Sequence, residues 1–331
     1  MLFEILGLAG SIIIILIGCE LFANGVESVG RKFTLSHAAT GSLLAAVGTA
    51  LPESVIPILA LLFSAEHGEA ISIGAILGAP FMLFTLAIFL LAVTVLTLKF
   101  MGKRDSAIKV NPELISFDLK FFIFAFFLIL AVSLIKIKFL NYALAAFLVL
   151  FYLFYIKKIL EHEAAGDETY HPLHFEKYFG KKHVLIYIQT ALGLILIISG
   201  AHFFIGFLIV TGTAIGISML VFSLLITPIA TELPEKYNSI TWIIRGKDTL
   251  ALANITGAVA FQSTLIVSIG LLFTEWILDW HTLLNITLAL SSAIFIFITL
   301  KFKKKLYAEP LLIGGLFYVI YIILALELVK I

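Results

Sequence analysis

Ten stretches of this chain are apolar for long enough to cross a bilayer, and they leave room for little else. They run near 2–26, 38–63, 70–98, 115–135, 139–157, 184–209, 213–243, 249–273, 280–300 and 307–329. A membrane-spanning helix takes about 20 mostly apolar residues. Only 13% of the residues are charged and 61% are hydrophobic, whereas a soluble domain carries about 25% charged residues. Backbone polar groups have no water partner inside lipid, so these spans are expected as helices. The first segment has neither a basic leader nor a small-residue cleavage site, and is expected to be a retained span.

Lysine and arginine placement orients the chain. With the N-terminus outside, 18 of the 22 basic residues fall on the inner side. Outside there are only Lys136, Lys138 and Lys330, and Lys236 falls within a span. This positive-inside bias supports ten spans with both termini extracellular or periplasmic. An inner (cell) membrane location is expected. The basic run "KFKKK" at 301–305 anchors that orientation and can touch anionic lipid. A net charge of +1 gives no reason to expect nucleic acid as a partner. The partners expected are inorganic cations and the lipid bilayer. The single cysteine, Cys19, cannot form an internal disulfide.

One long polar segment, 159–183, divides the chain into a first half, 1–158, and a second half, 184–331. The halves repeat each other. At an offset of 182, Gly18 meets Gly200, Thr49 meets Thr231, Pro52 meets Pro234 and Glu53 meets Glu235. At an offset of 179, "GAILGAPFML" (74–83) lies on "ANITGAVAFQ" (253–262). Five is an odd number of spans, so two such units enter the bilayer in opposite directions. The expected fold is an all-α integral membrane protein: ten helices as two inverted five-helix repeats. Secondary transporters commonly use this plan, with a binding site near the midplane.

The repeated phrases "GTALPE" (48–53) and "ATELPE" (230–235) carry the chemistry. A carboxylate in mid-membrane costs about 2.5–3.5 kcal/mol on insertion scales, and marks a functional site by default. Glu53 and Glu235 are therefore candidate metal ligands for a hard divalent cation. Pro52, Pro57, Pro228 and Pro234 disrupt helix hydrogen bonds and free carbonyl oxygens. Thr49 and Thr231 add hydroxyls one turn before each glutamate. A buried hydrogen bond without function is the plain alternative for either glutamate alone; a symmetric pair favours an ion site.

At these residues the sequence resembles the cation/calcium exchanger superfamily, and most of all its sodium/calcium exchanger branch. That family carries "GTSLPE"-type motifs in its second and seventh helices and "GNxxGSNxxN"-type motifs in its third and eighth. The resemblance covers the ten-helix plan, the inverted topology and the linker. It implies a sodium/calcium exchanger-like fold, with the four motif helices around a central site and the first and sixth helices sliding past them. It implies calcium-binding roles for Glu53 and Glu235 and ligating roles for Thr49 and Thr231. Departures are visible. Ala50 and Glu232 stand where the first motif has serine, and Ala79 and Ala258 where the second does. The polar closing residue is Leu83 in one half and Gln262 in the other, and Asn254 keeps an amide whose counterpart is Ala75. Gln262, Asn254 and Glu232 complete the ion-binding candidates.

Glu232 lies three residues before Glu235 and shares its helix face. A carboxylate cluster would favour proton coupling; the alternative is that Glu232 pairs with Lys236 and is electrically silent. Elsewhere, Glu20 and His202 are repeat-equivalent and could form a proton path or gate, or serve as buried partners of neighbouring helices. Asn24, Glu27, Asn238 and Ser239 could line a vestibule or cap helices. His162, Glu163, Asp167, His171 and His174 in the linker match no defined zinc spacing.

The expected function is a secondary antiporter that exchanges a divalent cation, calcium foremost, for sodium or protons. No resident cofactor is expected beyond the transported cations. Two alternatives stand: a transport-inactive member acting as sensor or scaffold, and an intramembrane enzyme. Walker-type phosphate loops, H-E-x-x-H and G-x-S-x-G are all missing from the sequence.

Overall fold

The computed structural model describes residues 1–32, 45–162, 172–180, 183–303 and 305–327. The elements in order are α1 (Leu2–Lys32), α2 (Ala45–Phe63), α3 (Gly68–Met82), a π-helical turn (Leu83–Ala87) and α4 (Ile88–Phe100). Then come β1 (Ala107–Ile108), α5 (Pro112–Ile135), α6 (Lys138–His162) and the short α7 (Glu176–Phe179). The second half holds α8 (Val184–Ile215), α9 (Met219–Thr231), α10 (Leu233–Ile244), α11 (Asp248–Phe261), a second π-helical turn (Gln262–Ile266) and α12 (Val267–Phe273). The chain ends with α13 (Trp280–Lys303), β2 (Leu306–Tyr307), α14 (Ala308–Leu311) and α15 (Ile313–Glu327).

Among the described residues, eight segments are long and apolar enough to cross a membrane: 2–29, 68–100, 112–135, 138–159, 184–215, 248–273, 280–302 and 308–325. Two apolar helices are shorter, Leu51–Phe63 and Met219–Thr231. These two carry or precede the Pro-Glu phrases. The span expected at 213–243 is in fact two helices. Residues 213–215 finish α8, and the rest breaks at Glu232. The other boundaries move by a few residues, and α1 runs on past 26 to Lys32.

Local chemistry sets several helix ends. Asn111 caps α5, its side chain accepting from the N–H groups of Glu113 and Leu114, with Pro112 at the first position. Gly216, at φ +78°, ends α8 and donates its N–H to the Gly212 and Thr213 carbonyls.

The chain forms two compact units that do not follow the repeat boundary at 159–183. One comprises 1–68 and 153–216, the other 69–152 and 217–331. In the first unit α1 and α8 pack along their lengths. Gly7 faces Phe207, Gly18 faces Gly193 and Ile197, and Gly25 faces Thr190, so the helices run antiparallel. A Cβ on Gly193 would meet the Phe22 backbone nitrogen at 2.6 Å, and one on Gly18 the Gly193 carbonyl oxygen at 2.9 Å. Small residues are needed wherever two membrane helices come this close. At the end of this pair, Gln189 donates to the Leu21 carbonyl and the Asn24 side chain. Asn24 accepts from the His174 N–H, and His174 pairs with Glu20 at 2.9 Å.

In the second unit α3 lies against α9, running parallel to it. A Cβ on Gly74 would meet the Leu220 carbonyl, and one on Gly78 the Leu224 carbonyl. Phe84, Phe122 and Phe126 pack through the core with tilted rings. Gly314 of α15 packs on the first π-helical turn, where a Cβ would meet the Thr85 carbonyl at 2.5 Å. β1 and β2 pair antiparallel, Ala107 opposite Tyr307 and Ile108 opposite Leu306. Arg104 closes that end through two hydrogen bonds to the buried Asp248, of 2.6 and 2.8 Å. Hydrogen bonding to Asp248 raises the Arg104 guanidinium above its ordinary pKa.

Candidate ion-binding site

The site in the second unit begins with a break in a helix. Pro234 has no N–H and cannot extend the bond pattern from α9 into α10. Glu232 leaves the helical conformation there, at φ −93°, ψ 1°. Its N–H still reaches the Pro228 carbonyl at 3.0 Å. A new helix then starts at Leu233, with Glu235 in its first turn. The positive end of a helix dipole favours an acid at that position.

Four polar side chains of the repeated motifs converge on this break. Glu232, Glu235, Thr231 and Gln262 are all buried. One carboxylate oxygen of Glu232 and one of Glu235 lie within 4.8 Å of each other. Two oxygens each bound to calcium at about 2.3–2.6 Å are at most about 5 Å apart, so this spacing suits one cation. Gln262 opens the second π-helical turn and donates from Nε2 to Glu232 Oε1 at 2.8 Å. Asn254 of α11 donates to the Glu235 carbonyl at 3.0 Å and to the Ser239 hydroxyl at 3.1 Å. Ser239 in turn donates to the Ala251 carbonyl. Asn254 thus holds the α10 backbone, and with it Glu235. The Thr231 hydroxyl has a long, 3.4 Å contact with the Thr227 carbonyl.

In the first unit Glu53 lies in α2, buried, directly after Pro52. Thr49 belongs to the same helix, but its side chain lies outside the described residues. Here Pro52 and Pro57 are both inside a continuous helix.

The remaining sequence candidates divide. Glu20 and Asn24 belong to the network with His174 and Gln189 described above. His202 packs edge-on against Phe63, with ring centroids 5.7 Å apart. Glu163, Asp167 and His171, and the His162 side chain, lie outside the described residues.

Three participants escape motif reading. Met82 and the Pro228 carbonyl receive the Lys236 ammonium, at 2.9 and 3.3 Å. Asp118, buried in α5, accepts from the Thr256 hydroxyl at 2.6 Å. Gln189 is fully buried within α8. An acid or amide inside an apolar run is a signal that could have flagged Asp118 and Gln189. Nothing in the sequence marks Met82.

Known proteins share this fold. The structure of an H+/Ca2+ exchanger, CAX, is similar over 98% of this chain and 87% of its own, with TM-score 0.76 and 17% identity. The sodium-calcium exchanger NCX_Mj, in a crystal soaked with Na+ and Sr2+, is similar over 97% of this chain and 98% of its own, with TM-score 0.62 and 21% identity. A putative antiporter, CaxA, of Alkalimonas amylolytica is 29% identical over 92 residues, 28% of this chain and 29% of that protein. The matched stretch is thus less than a third of that curated relative. The sequence pattern of the sodium/calcium exchanger protein family matches residues 3–157 and 185–329, nearly the whole chain. The chain is a multi-pass membrane protein and belongs to the sodium/calcium exchanger protein family.

Proposed function

We propose that this protein is a secondary antiporter that moves a divalent cation, calcium, in exchange for sodium or protons. Glu53 and Glu235 would form the shared acidic pair of the cation site. The observation that carries this reading is the break at Glu232. It places two buried carboxylates within one cation's coordination distance, beside a helix N-terminus and a proline-disturbed carbonyl. A cost of that kind marks a functional site by default. Membership of an exchanger family and the activities of the similar structures, H+/Ca2+ and sodium-calcium exchange, support it. On the same ground the protein is a transporter and not an enzyme.

The reading includes ten spans in two inverted repeats, 1–158 and 184–331, around the linker 159–183. The antiparallel course of α1 and α8, the first helices of the two halves, supports inversion. So do the π-helical turns at 83–87 and 262–266, which fall 179 positions apart, the offset of the repeat. Both termini would face outward across a cell or inner membrane. The alternative of a sensor or scaffold draws on Ala75, Ala79 and Leu83, which offer no side-chain oxygen where the family motif has polar residues.

The test is calcium-45 uptake into proteoliposomes under an imposed sodium or proton gradient. Uptake driven by one of these gradients is expected, and Glu53→Gln or Glu235→Gln should reduce it to background. Uptake that survives both changes would overturn the site. No uptake under either gradient, from protein that is folded and inserted, would favour the scaffold reading.

A further inference from the structure

The second repeat carries a charge that the antiporter reading leaves unused. Lys236 follows Glu235 directly and is buried in the second unit. Burying an ammonium costs several kcal/mol unless anions and hydrogen-bond acceptors receive it. Its Nζ lies 3.3 Å from the Pro228 carbonyl, the oxygen that also accepts from Glu232 across the helix break, and 2.9 Å from Met82 Sδ. Glu232 is four residues earlier on the same face of the chain. The ammonium therefore occupies a carbonyl at the break in the ion-site helix, where a mobile cation would otherwise find an oxygen ligand.

The repeat shows what arrived with it. At an offset of 182, Glu232 corresponds to Ala50 and Lys236 to Ser54. Across the aligned residues 50–54 and 232–236, the first segment thus has one acid, Glu53, and no base. The second segment has two acids and one base, and the same formal charge. Glu232 and Lys236 enter as a pair that leaves the charge unchanged.

We infer that Lys236 is a built-in monovalent cation of the ion site, taking a place that a mobile co-ion would otherwise fill and so lowering the number of co-ions bound with each divalent cation. This rests on the cation-site reading above. With Glu53, Glu232 and Glu235 ionised and Lys236 protonated, the formal charge is −2, which one divalent cation neutralises. Without Lys236 the charge is −3, and a divalent cation leaves room for one monovalent partner. Lys236 is a specificity-determining residue here: it sets what accompanies calcium.

The test is equilibrium calcium-45 binding to the purified full-length protein in detergent, titrated with sodium or potassium chloride. Four proteins are compared: wild type, Lys236→Met, Lys236→Arg and Glu232→Gln/Lys236→Met. Methionine keeps the length of the stem without the charge. Lys236→Met is expected to bind calcium at least about tenfold more tightly, about 1.4 kcal/mol. With calcium bound, it should also retain more sodium-22 than the wild type does. Lys236→Arg should keep the wild-type pattern, and the double variant should fall back toward it. A purely structural lysine would instead give weaker calcium binding in Lys236→Met, with no gain of sodium binding; that result would overturn the inference. So would identical sodium and calcium binding in all four proteins. Flux separates the two claims. Wild-type protein that binds calcium with the expected shift in Lys236→Met, yet moves none, refutes the antiporter reading alone. Driven calcium uptake in wild type, with unchanged ion binding in Lys236→Met, refutes the tethered cation alone.

Discussion

The two Pro-Glu segments share a phrase in the sequence and form different pieces of structure. In α2, "GTALPE" runs through Pro52 and Pro57 as a single helix. In α9 and α10, "ATELPE" breaks at Glu232 and restarts at Leu233. Both have proline in the same place, so proline alone does not decide. The differing residues are those around it. Glu232 replaces Ala50, Lys236 replaces Ser54, Ser239 replaces Pro57, Asn254 replaces Ala75 and Gln262 replaces Leu83. In the second half a side-chain network holds the broken geometry: Gln262 on Glu232, Asn254 on the Glu235 carbonyl, and Lys236 on the Pro228 carbonyl. Opening a helix in lipid exposes backbone polar groups, and only a site with such partners can hold it open. The lesson is that two segments can carry the same Pro-Glu pair while the residues around it set whether the helix continues or breaks.

The largest expected effect tests whether the two acids remain equivalent. Glu53→Gln and Glu235→Gln should both abolish calcium-45 flux. If only Glu235→Gln does so, the second half alone forms the site and the comparison becomes one of active and vestigial halves.

Next comes the Gln262 amide. Gln262→Leu gives the second half the residue of the first and strips the buried Glu232 of a charge-assisted bond. A loss of about 1.5–3 kcal/mol in thermal unfolding is expected. In a double-mutant cycle with Glu232→Ala the two losses should fall short of additivity by about 0.5–3 kcal/mol. Additive losses would mean that the pair does not hold the break.

Pro234→Ala restores an N–H at the break. It should leave stability within about 1 kcal/mol of wild type, because a regained helix hydrogen bond offsets the greater freedom of the unfolded chain. Flux should fall as the α9–α10 junction closes toward the continuous form of α2. Spin-label distances between positions on α9 and α10 would read that closure; unchanged distances with unchanged flux would show that proline is a passenger.

The smallest effect is expected at Thr231. At 3.4 Å its hydroxyl contact is marginal, so Thr231→Val should cost less than about 1 kcal/mol in unfolding. A large loss of calcium affinity with stability intact would make the Thr231 oxygen a direct ligand.

Much of this protein was legible in one dimension. Helix is the only structure open to long apolar segments in lipid, so the spans at 70–98, 115–135, 184–209 and 249–273 reappear with small shifts. The paired Pro-Glu phrases stood out because acids in apolar sequence are costly and rarely repeat by accident. The seventh span failed as a single helix because hydropathy averages over the break at Glu232. The break depends on partners 30 residues away, and Gln262 is one of them. The π-helical turns were hidden for the same reason: they answer to packing, as where Gly314 meets Thr85, and not to a local signal. From the sequence, Glu232 is either a member of an acid cluster or a partner of Lys236. The structure adds Gln262, Met82 and the Pro228 carbonyl, contacts that no spacing rule supplies.

The sequence by itself determined that the chain spans a membrane many times, and it singled out Glu53 and Glu235 as the candidate acids. Those conclusions follow from transfer energies, which belong to each residue wherever it is placed. Tertiary structure alone decided where the helix opens and which side chains hold it open. It also decided that a methionine and a carbonyl receive a buried ammonium. These depend on atoms meeting within about 3 Å, and only the folded chain brings distant residues that close.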